Sequence, residues 1–436
     1  MQNLNPKVAI EKVNAAPGVA IDRIFAKFPE VDRRLLECQN VFIKINAVYF
    51  HPHLHTSLPL IAAVVDHIKT RDPKKHIYLM ENCSQGNFTR LCYAAIGVDA
   101  LARKQRLHCL FLDEEKSVTT TIGEGDSELK IRFPRILYEN LIENRPANFY
   151  LNMPVLKAHC QTQMTAGIKN QLGLLYDPDK AKNHNYRLHQ KLVDILKFIK
   201  PDFTIVDALK VLARGPLAPK KYVEQLLHEK DVILGGEDIV AVDAVCASLL
   251  GYNPNEVKHV ALAAQQGMGV ADLAAITIDG EMPPCKQRIP WELDKHFPES
   301  VQIVVGKGGA CYEGCLGHAE QILELLVNEK SAPENFSELP FTIVAGRGFD
   351  KEQLENLPEP ILLLGECASK EVLETLRQNY LQIDVLNSCG RCDNILASIA
   401  QKLNIDVFEL SPLSRLEIYR QFFTGRMRGL RYKIPR

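Results

Sequence analysis

Short apolar runs of strand-like composition alternate with segments of helical periodicity along most of this chain, and this alternation constrains the fold more than any other feature. The run VFIKINAVYF is followed by LPLIAAVVDHIKT, whose apolar residues recur every three to four positions, and then by HIYLMEN. Such alternation is typical of βαβ units, in which the strands are parallel and the helices cover the sheet. The sequence therefore predicts an α/β protein built on parallel sheets.

A proline-rich stretch, EMPPCKQRIPWELDKHFPES, interrupts the alternation, which resumes with VQIVVG. We interpret residues 283–300 as a linker between two α/β domains. Residues 1–282 form the larger domain, and residues 301–436 form a smaller domain with a flavodoxin-like order of elements and a basic tail. A chain of 436 residues is long enough to bury the cores of both.

Five of the twelve cysteines fall in the smaller domain, each in a polar turn directly after a strand-like run. Parallel strands end at the same edge of a sheet, so thiols that follow different strands can meet there. Thiols in glycine-rich turns are exposed and prone to oxidation unless they bind a metal, which favours ligation over a structural role. The candidate ligands are Cys311, Cys315, Cys367, Cys389 and Cys392.

The ligand type indicates the kind of centre. An all-thiolate set is typical of zinc or of an iron–sulfur cluster, and zinc ribbons usually bring together two close Cys-x-x-Cys pairs. Here Cys367 stands alone between two pairs, and this spread favours a [4Fe–4S] cluster. Either Cys389 or Cys392 would be the fourth ligand. A flavodoxin-like unit can also bind flavin without a short motif, so flavin is an alternative cofactor.

The three cysteine turns resemble the proximal-cluster region of hydrogenase and Complex I small subunits. That region has a cysteine pair after its first strand, then a Gly-x-Cys-Ala turn, then a cysteine turn that leads into a helix. Gly365-Glu366-Cys367-Ala368 matches the middle element. The first pair has three intervening residues instead of two, and the last element lacks Pro-Pro after its cysteine. The resemblance implies an iron–sulfur cluster in the smaller domain.

Two polar segments of the larger domain come at the ends of predicted strands. Lys44 and Asn46 end the first, and NMPVLKAH places Lys157 and His159 two residues apart at the end of another. In such folds ligands bind at the carboxyl edge of the sheet. Lysines there supply positive charge for a carboxylate or phosphate, and a histidine exchanges a proton near neutral pH. The alternative is that they are surface lysines and a capping histidine.

Other histidines are also candidates. His51, His53 and His55 alternate along one segment and could bind a metal from one side of an extended strand, or be solvated turn residues. His184 and His189 follow the second polar segment.

Longer stretches of the larger domain, including NMPVLKAHCQTQMTAGIKNQLGLL and GGEDIVAVDAVCASLLGY, resemble the domain of unknown function family 362 over about residues 40–282. Members of that family are commonly described as iron–sulfur proteins. The resemblance implies catalytic roles for Lys157, His159 and Lys169. It implies substrate-binding roles for Lys44, Asn46, Thr165, Asn170, Asp207, Asp238 and Asp243. Many members also carry a Cys-x-x-Cys-x-x-Cys run, which this chain lacks.

Three functions are compatible with these features. We expect first a redox enzyme or redox subunit, in which a [4Fe–4S] cluster serves a small anionic substrate or cofactor held by the Lys/His/Asp site, with a redox protein as an alternative partner. The second is a non-redox lyase or isomerase with His159 as its acid–base group. The third is a binding or maturation protein that carries a cluster or metal for another enzyme.

Composition argues against several other classes. Lys and Arg total 52 and Asp and Glu total 53, and no basic stripe with interleaved aromatic residues occurs, so nucleic acid is not an expected partner. No apolar run reaches the ~18 residues that a membrane span needs, and the N-terminus lacks a signal-peptide core. We therefore expect a cytoplasmic protein with no membrane partner. Nucleotide-binding and serine-hydrolase motifs are also missing.

Overall fold

A computed structural model describes residues 5–295, 297–328 and 340–432. Within these residues the α/β class predicted from the sequence is confirmed. The strands form a ten-stranded mixed sheet, a four-stranded parallel sheet and a two-stranded antiparallel ribbon. The last four residues of the predicted basic tail, 433–436, lie outside the described residues.

Strands and helices alternate in chain order. The strands are β1 (Lys7–Lys12), β2 (Asn40–Ile45), β3 (His76–Glu81), β4 (His108–Phe111), β5 (Ser117–Ile122), β6 (Leu129–Pro134), β7 (Asn148–Met153), β8 (Val155–His159), β9 (Gln163–Thr165), β10 (Phe203–Gly215), β11 (Leu227–Gly236), β12 (Thr277–Asp279), β13 (Val301–Val305), β14 (Phe341–Ala345), β15 (Ile361–Leu364) and β16 (Ile383–Leu386). The α-helices are α1 (Gly18–Lys27), α2 (Pro29–Glu37), α3 (Leu58–Arg71), α4 (Thr89–Ile96), α5 (Val98–Gln105), α6 (Arg135–Tyr138), α7 (Gly167–Asn170), α8 (Asp177–Ala181), α9 (Leu188–Phe198), α10 (Ile239–Leu249), α11 (Lys258–Gln265), α12 (Cys315–Asn328), α13 (Glu366–Asn379), α14 (Cys392–Lys402) and α15 (Arg415–Arg428).

The centre of the larger sheet is parallel. Strand β2 lies between β3 and β7, and β4 continues the sheet beyond β3. Strand β10 pairs with β7 and β8, and the hairpin of β8 and β9 lies off the main strand order. Because β2, β3 and β7 end at the same edge, Lys44 on β2 lies opposite Asn152 on β7 and beside the end of β3. This edge is where the polar residues of the larger domain meet.

Apolar helices cover both faces of the larger sheet. Helices α1 and α3 pack on one face, where Ile21, Phe25 and Val64 are completely buried. On the other face α10 is buried on nearly every side, and Asp243 is its one charged residue. Burial of a Val or Ile side chain stabilises the fold by about 1.5–3 kcal/mol. Apolar packing on both faces of the sheet therefore holds the strands whose ends carry the polar residues.

The smaller domain is a parallel sheet whose strands lie in chain order, β13 to β16. A flavodoxin-like sheet reverses its strand order near the middle, so this domain shares the alternation of that fold but not its strand order. Helices α12 and α14 pack on one face, and α13 packs on the other. Cys315 begins α12, Cys367 lies in the first turn of α13, and Cys392 begins α14.

The smaller domain packs against the polar edge of the larger one. Phe88 of the larger domain shares an apolar cluster with Leu325 of α12, Ile418 of α15 and Leu430. The Tyr432 hydroxyl donates a hydrogen bond to the backbone carbonyl of Gly86 at 2.7 Å. The carboxyl edge of the larger sheet is therefore enclosed between the two domains. No helix in the described part of the chain is long and apolar enough to cross a membrane.

Candidate functional site

A cavity of about 130 Å³ lies between the carboxyl edge of the larger sheet and helix α12. We call it the lysine cavity, because four lysines line it: Lys44, Lys157, Lys169 and Lys180. Nine of the residues singled out in the sequence line it: Lys44, Asn46, Lys157, His159, Thr165, Lys169, Asn170, His184 and Cys392. The first seven come from four separate segments of the chain, which the parallel strands and the β8–β9 hairpin bring together.

Lys44 is paired with Glu81, a residue that lies at the end of β3. Its Nζ is 2.7 Å from Glu81 Oε1, and both side chains are buried. The carboxylate also accepts hydrogen bonds from the backbone N–H groups of Ala47 and Asn82. A Cβ atom on Gly173 would lie 2.2 Å from Glu81 Oε1 and 2.7 Å from Lys44 Nζ. Glycine is thus required at this position for the ion pair to form.

Lys157 is held by neutral groups. Its Nζ donates to Asn46 Oδ1 at 3.0 Å and to the backbone carbonyl of Leu54 at 2.7 Å. Asn46 in turn donates to Asn170 Oδ1 at 3.1 Å, and Asn170 donates to Asn152 Oδ1 at 2.8 Å. The chain of amides fixes the position of the ammonium group without neutralising it.

Two of the four lysines lack a carboxylate partner. Among the described residues, neither Lys157 nor Lys169 forms an ion pair, and the Lys169 side chain makes no hydrogen bond. Burial, followed by the charge of Lys169, lowers the pKa of Lys157 to about 7. Burial also lowers the pKa of Lys169 to about 8. An anion placed between these ammonium groups would restore both to their charged forms.

His159 is a hydrogen-bond donor toward the cavity. Its Nδ1 accepts a hydrogen bond from the backbone N–H of Gln161 at 3.1 Å. Burial, together with the charges of Lys169 and Lys157, holds the pKa of His159 well below its usual value. The neutral ring therefore carries its proton on Nε2.

His184 and His318 have the opposite tautomer. Their Nδ1 atoms contact backbone carbonyl oxygens, at 2.8 Å for His184 and 2.9 Å for His318. A carbonyl can only accept, so Nδ1 is protonated and Nε2 has a free lone pair. Burial lowers the pKa of His318 to about 4 and holds that of His184 well below its usual value. The cavity thus contains two neutral imidazoles that can accept a proton, beside one that can donate a hydrogen bond.

The structure does not bring the three predicted aspartates into this cavity. Asp207 accepts hydrogen bonds from the backbone N–H groups of Ser57 and Leu209. Asp238 caps the N-terminus of α10. Asp243 accepts from Gly167 and Ile168 at 2.7 and 2.9 Å, and so holds the short helix α7, which carries two cavity residues, Lys169 and Asn170. Each carboxylate positions the backbone around the site rather than lining it.

Several cavity residues were not singled out from the sequence. Glu81 is the last residue of a strand-like run, and this position could have identified it as a candidate site residue. Lys180 lies in α8 and donates to the backbone carbonyl of Asn82 at 2.8 Å. His318 and Gln321 come from α12 of the smaller domain. No local pattern marks these last two, because their role depends on how the domains pack.

Four of the five cysteines of the smaller domain lie together. The side chains of Cys311 and Cys315 interact directly, and Cys315 also interacts electrostatically with Cys367 and Cys389. A Cβ atom on Gly365 would lie 3.1 Å from Cys315 Sγ and 3.9 Å from Cys367 Sγ. Those two sulfurs are therefore no more than about 7 Å apart. We call this group the cysteine loops.

Cys392 lies away from the cysteine loops. It lines the lysine cavity. The groups that affect its thiol are Asp393 and Asp177, and burial raises its pKa to about 12. Of the two alternatives for a fourth ligand, the structure places only Cys389 beside the other three cysteines.

The surroundings of the cysteine loops favour the thiolate form at Cys311, whereas contact with Cys311 raises the pKa of Cys315 and burial raises that of Cys389. Backbone N–H groups of Tyr186 and Cys315 favour the thiolate of Cys311, and that of Glu366 favours the thiolate of Cys389. A hydrogen bond from the Cys315 thiol is the main reason why the pKa of Cys311 falls to about 6. Gly314 and Gly365 leave open space at the sulfurs, since a Cβ on Gly314 would lie 2.7 Å from Cys311 Sγ. An all-thiolate set with free space and N–H donors fits an iron–sulfur cluster.

A single metal ion fits less well. Within the described ranges, no three side chains of His, Cys, Asp or Glu are close enough to hold one ion, and this includes His51, His53 and His55. Thiolates on one ion lie about 4 Å apart, whereas those on a four-iron cluster lie about 6–7 Å apart.

The lysine cavity and the cysteine loops share a wall. His184 lines the cavity, while its backbone carbonyl packs against Gly314 and Gly390 of the cysteine loops. Two residues later, the backbone of Tyr186 lies beside Cys311 and lowers the pKa of its thiol. Residues 184–186 therefore connect the two groups directly.

Comparison with known proteins supports the resemblance seen in the sequence. Residues 41–248 match the family described as domain of unknown function (DUF362). This range contains the cavity residues of the larger domain but none of the cysteine loops. The iron–sulfur character and the hydrogenase resemblance stay predictions.

One relative and one solved structure illustrate what this chain is similar to. A thylakoid-associated protein of Synechocystis sp. is 30% identical over 141 residues, which are 30% of this chain and 41% of the relative. The match thus spans less than half of that protein. The lactate racemase apoprotein from Thermoanaerobacterium thermosaccharolyticum aligns over 88% of this chain and 93% of its own, with 12% identity and a TM-score of 0.40.

Proposed function

We propose that the protein binds a small organic anion in the lysine cavity and catalyses a proton transfer on it, as a non-redox isomerase or lyase does. The observation that carries this proposal is the pairing of two lysines without carboxylate partners with neutral histidines of both tautomers. The cavity offers positive charge, a proton donor and a proton acceptor in one enclosed space.

Anion binding follows from the charge balance of the cavity. Lys44 is neutralised by Glu81, and Lys180 lies 3.1 Å from Asp177. Lys157 and Lys169 keep an unpaired charge, which burial makes costly. A carboxylate or phosphate that contacts both would recover this cost, and charge-assisted hydrogen bonds to it are about twice as strong as neutral ones.

Proton transfer follows from the histidine tautomers. The free Nε2 lone pairs of His184 and His318 suit a base that removes a proton next to a carboxylate. His159 can donate a hydrogen bond from Nε2 to an oxygen on which negative charge develops. Lys157, with a pKa near 7, can also exchange a proton at neutral pH.

Anion binding is tested by calorimetric titration with acetate and with inorganic phosphate. We expect Lys157→Met to weaken the binding of the preferred anion about tenfold to a hundredfold, because it removes a charged hydrogen bond. Lys74→Met, a change at an exposed lysine outside the cavity, is the matched control and should leave affinity unchanged. Equal affinity in wild type and Lys157→Met would refute the anion site.

Proton transfer is tested separately, by deuterium uptake from D₂O into carboxylates with an acidic C–H next to the carboxyl group, followed by NMR. His318→Gln should slow the uptake at least a hundredfold, because general acid–base groups contribute about 10²–10⁴-fold. Uptake that is unchanged in His318→Gln and in His184→Gln would refute the acid–base role.

A second candidate function is a redox one, favoured by the wall that the two groups share through residues 184–186. In this function Cys311, Cys315, Cys367 and Cys389 would hold a [4Fe–4S] cluster. Such a cluster supplies one-electron transfer when bound. The residues of this chain would bind the anion, exclude water and keep the anion close to the cysteine loops. Reductant-dependent turnover that is lost in Cys367→Ser would support this function over the non-redox one.

A further inference from the structure

A second cavity, of about 80 Å³, lies beside the lysine cavity. Its walls are almost entirely apolar and come from both domains, with Phe50 and Phe88 on one side and Leu325, Leu396 and Phe408 on the other. We call it the apolar cavity. A space lined in this way excludes water and favours apolar groups.

The two cavities are adjacent. Ser84, Gln85, Leu217 and Cys392 line both of them, so these four side chains form the boundary between the two spaces. A ligand that contacts the lysines and passes these side chains would reach the apolar cavity.

The junction between the cavities has an unused hydrogen-bond acceptor. Gln85 is 9% exposed, and among the described residues its Oε1 atom has no hydrogen-bond partner. A buried polar atom normally has a partner, so an orphaned acceptor at a cavity wall points to a ligand that donates to it. A hydroxyl or amine between the two ends of the ligand would supply that donor.

We propose that the anion bound by this protein carries a branched aliphatic chain of three to four carbons, which fills the apolar cavity while its charged group contacts Lys157 and Lys169. This inference rests on the proposed function and specifies its substrate class. An apolar cavity of about 150 Å³ is known to bind benzene, so a space of about 80 Å³ suits a smaller group.

The proposal is tested by calorimetric titration of wild-type protein with two pairs of probes. The first pair is acetate and 3-methylbutanoate, and the second is inorganic phosphate and 2-methylpropyl phosphate, so that each branched probe carries a four-carbon isobutyl group. In the pair whose charged group is preferred, we expect the branched probe to bind at least tenfold tighter, because each buried methylene adds to the affinity. The pair in which the branched probe binds more tightly than the unbranched one identifies the charged group as a carboxylate or a phosphate.

A filled cavity should remove this preference. Leu396→Trp places a large side chain in the apolar cavity and should make the branched and the unbranched probe bind with equal affinity. Leu381→Trp is the matched control, since Leu381 is 97% exposed and outside both cavities, and it should keep the tenfold preference. If Leu396→Trp does not fold, the difference in affinity between the branched and unbranched probes in wild-type protein still tests the proposal.

The outcomes separate this inference from the proposed function. If the unbranched anion binds and requires Lys157, but the branched probe binds no tighter, the apolar subsite is refuted and the anion site stands. If no probe binds to wild-type protein, both are refuted.

Discussion

The lysine cavity and the cysteine loops both lie at the carboxyl ends of parallel strands, yet they differ in how the fold treats their polar groups. Lys44 and Lys157 are completely buried and held by specific partners. Cys367 is exposed, and Cys311 and Cys389 are only half-buried. The same position on an α/β sheet carries a largely buried cationic site in one domain and a more exposed group of thiols in the other.

This difference indicates how far the polar groups of each site are held in position before a ligand or cofactor binds. The amide network of Asn46, Asn170 and Asn152 fixes the position of the Lys157 ammonium group before a ligand binds. Because the lysine charges without carboxylate partners are buried, they destabilise the empty site, and an anion would relieve this cost. In the cysteine loops only Cys315 is buried, and the other three thiols are half-buried or exposed. We therefore expect the two sites to respond independently to mutation, and three predictions test this.

The largest expected effect is on iron binding. After anaerobic reconstitution with iron and sulfide, wild-type protein should hold about four irons per chain. Cys367→Ser should lose nearly all of this iron, because it removes a ligand, while its anion affinity stays at the wild-type value. Iron and sulfide analysis with an absorption spectrum measures the first effect, and calorimetry measures the second.

Cys392→Ser is the matched control for iron binding. Its thiol lies in the lysine cavity and not with the other four cysteines, so it should keep its iron. Equal loss of iron in both variants would contradict the assignment of Cys389 as fourth ligand.

The next effect is the pH dependence of anion binding. The pKa of Lys157 is lowered to about 7 and that of Lys169 to about 8, so both lose their charge as pH rises through this range. Affinity for the preferred anion should fall at least tenfold between pH 6 and pH 9. The double variant Lys157→Met/Lys169→Met should show weak binding with no such slope. An affinity in wild type that is constant over this range would mean that these lysines do not contact the anion.

The smallest effect is on stability, and its sign is opposite to that on binding. The folded-state pKa of Lys169, about 8, is below the 10.5 of an ordinary lysine, so the unfolded state holds the proton more tightly. The resulting destabilisation is complete below pH 8 and disappears above pH 10.5. At pH 7, Lys169→Met should therefore raise the free energy of unfolding by about 1 kcal/mol, after allowance for partial exposure.

Urea unfolding at pH 7 and at pH 10.5 measures this stability difference. The gain should shrink at the higher pH, and Lys74→Met should show no gain at either pH. A loss of stability in Lys169→Met would show that the Lys169 side chain makes favourable contacts in the folded protein that outweigh the cost of burying its charge.

Much of the lysine cavity could be predicted from local sequence. Lys44, Lys157 and His159 each end a strand-like run, and parallel strands place such residues at one edge. The three aspartates show the limit of that reasoning. Asp207 and Asp243 are buried and Asp238 is half-buried, and the carboxylates of all three accept hydrogen bonds from backbone N–H groups instead of facing the cavity. Sequence spacing does not tell which way a buried carboxylate points.

The sequence by itself determined the α/β class, the strand ends that carry lysine and histidine, and the turns that carry cysteine. These depend on periodicity and turn composition, which are local properties. Only the tertiary structure decided that His318 enters the lysine cavity, that Cys389 rather than Cys392 joins the other cysteines, and that an apolar cavity adjoins the lysine cavity. The physical reason is that each of these depends on how one domain packs on the other or on how separate loops meet, and such long-range contacts leave no pattern in neighbouring residues.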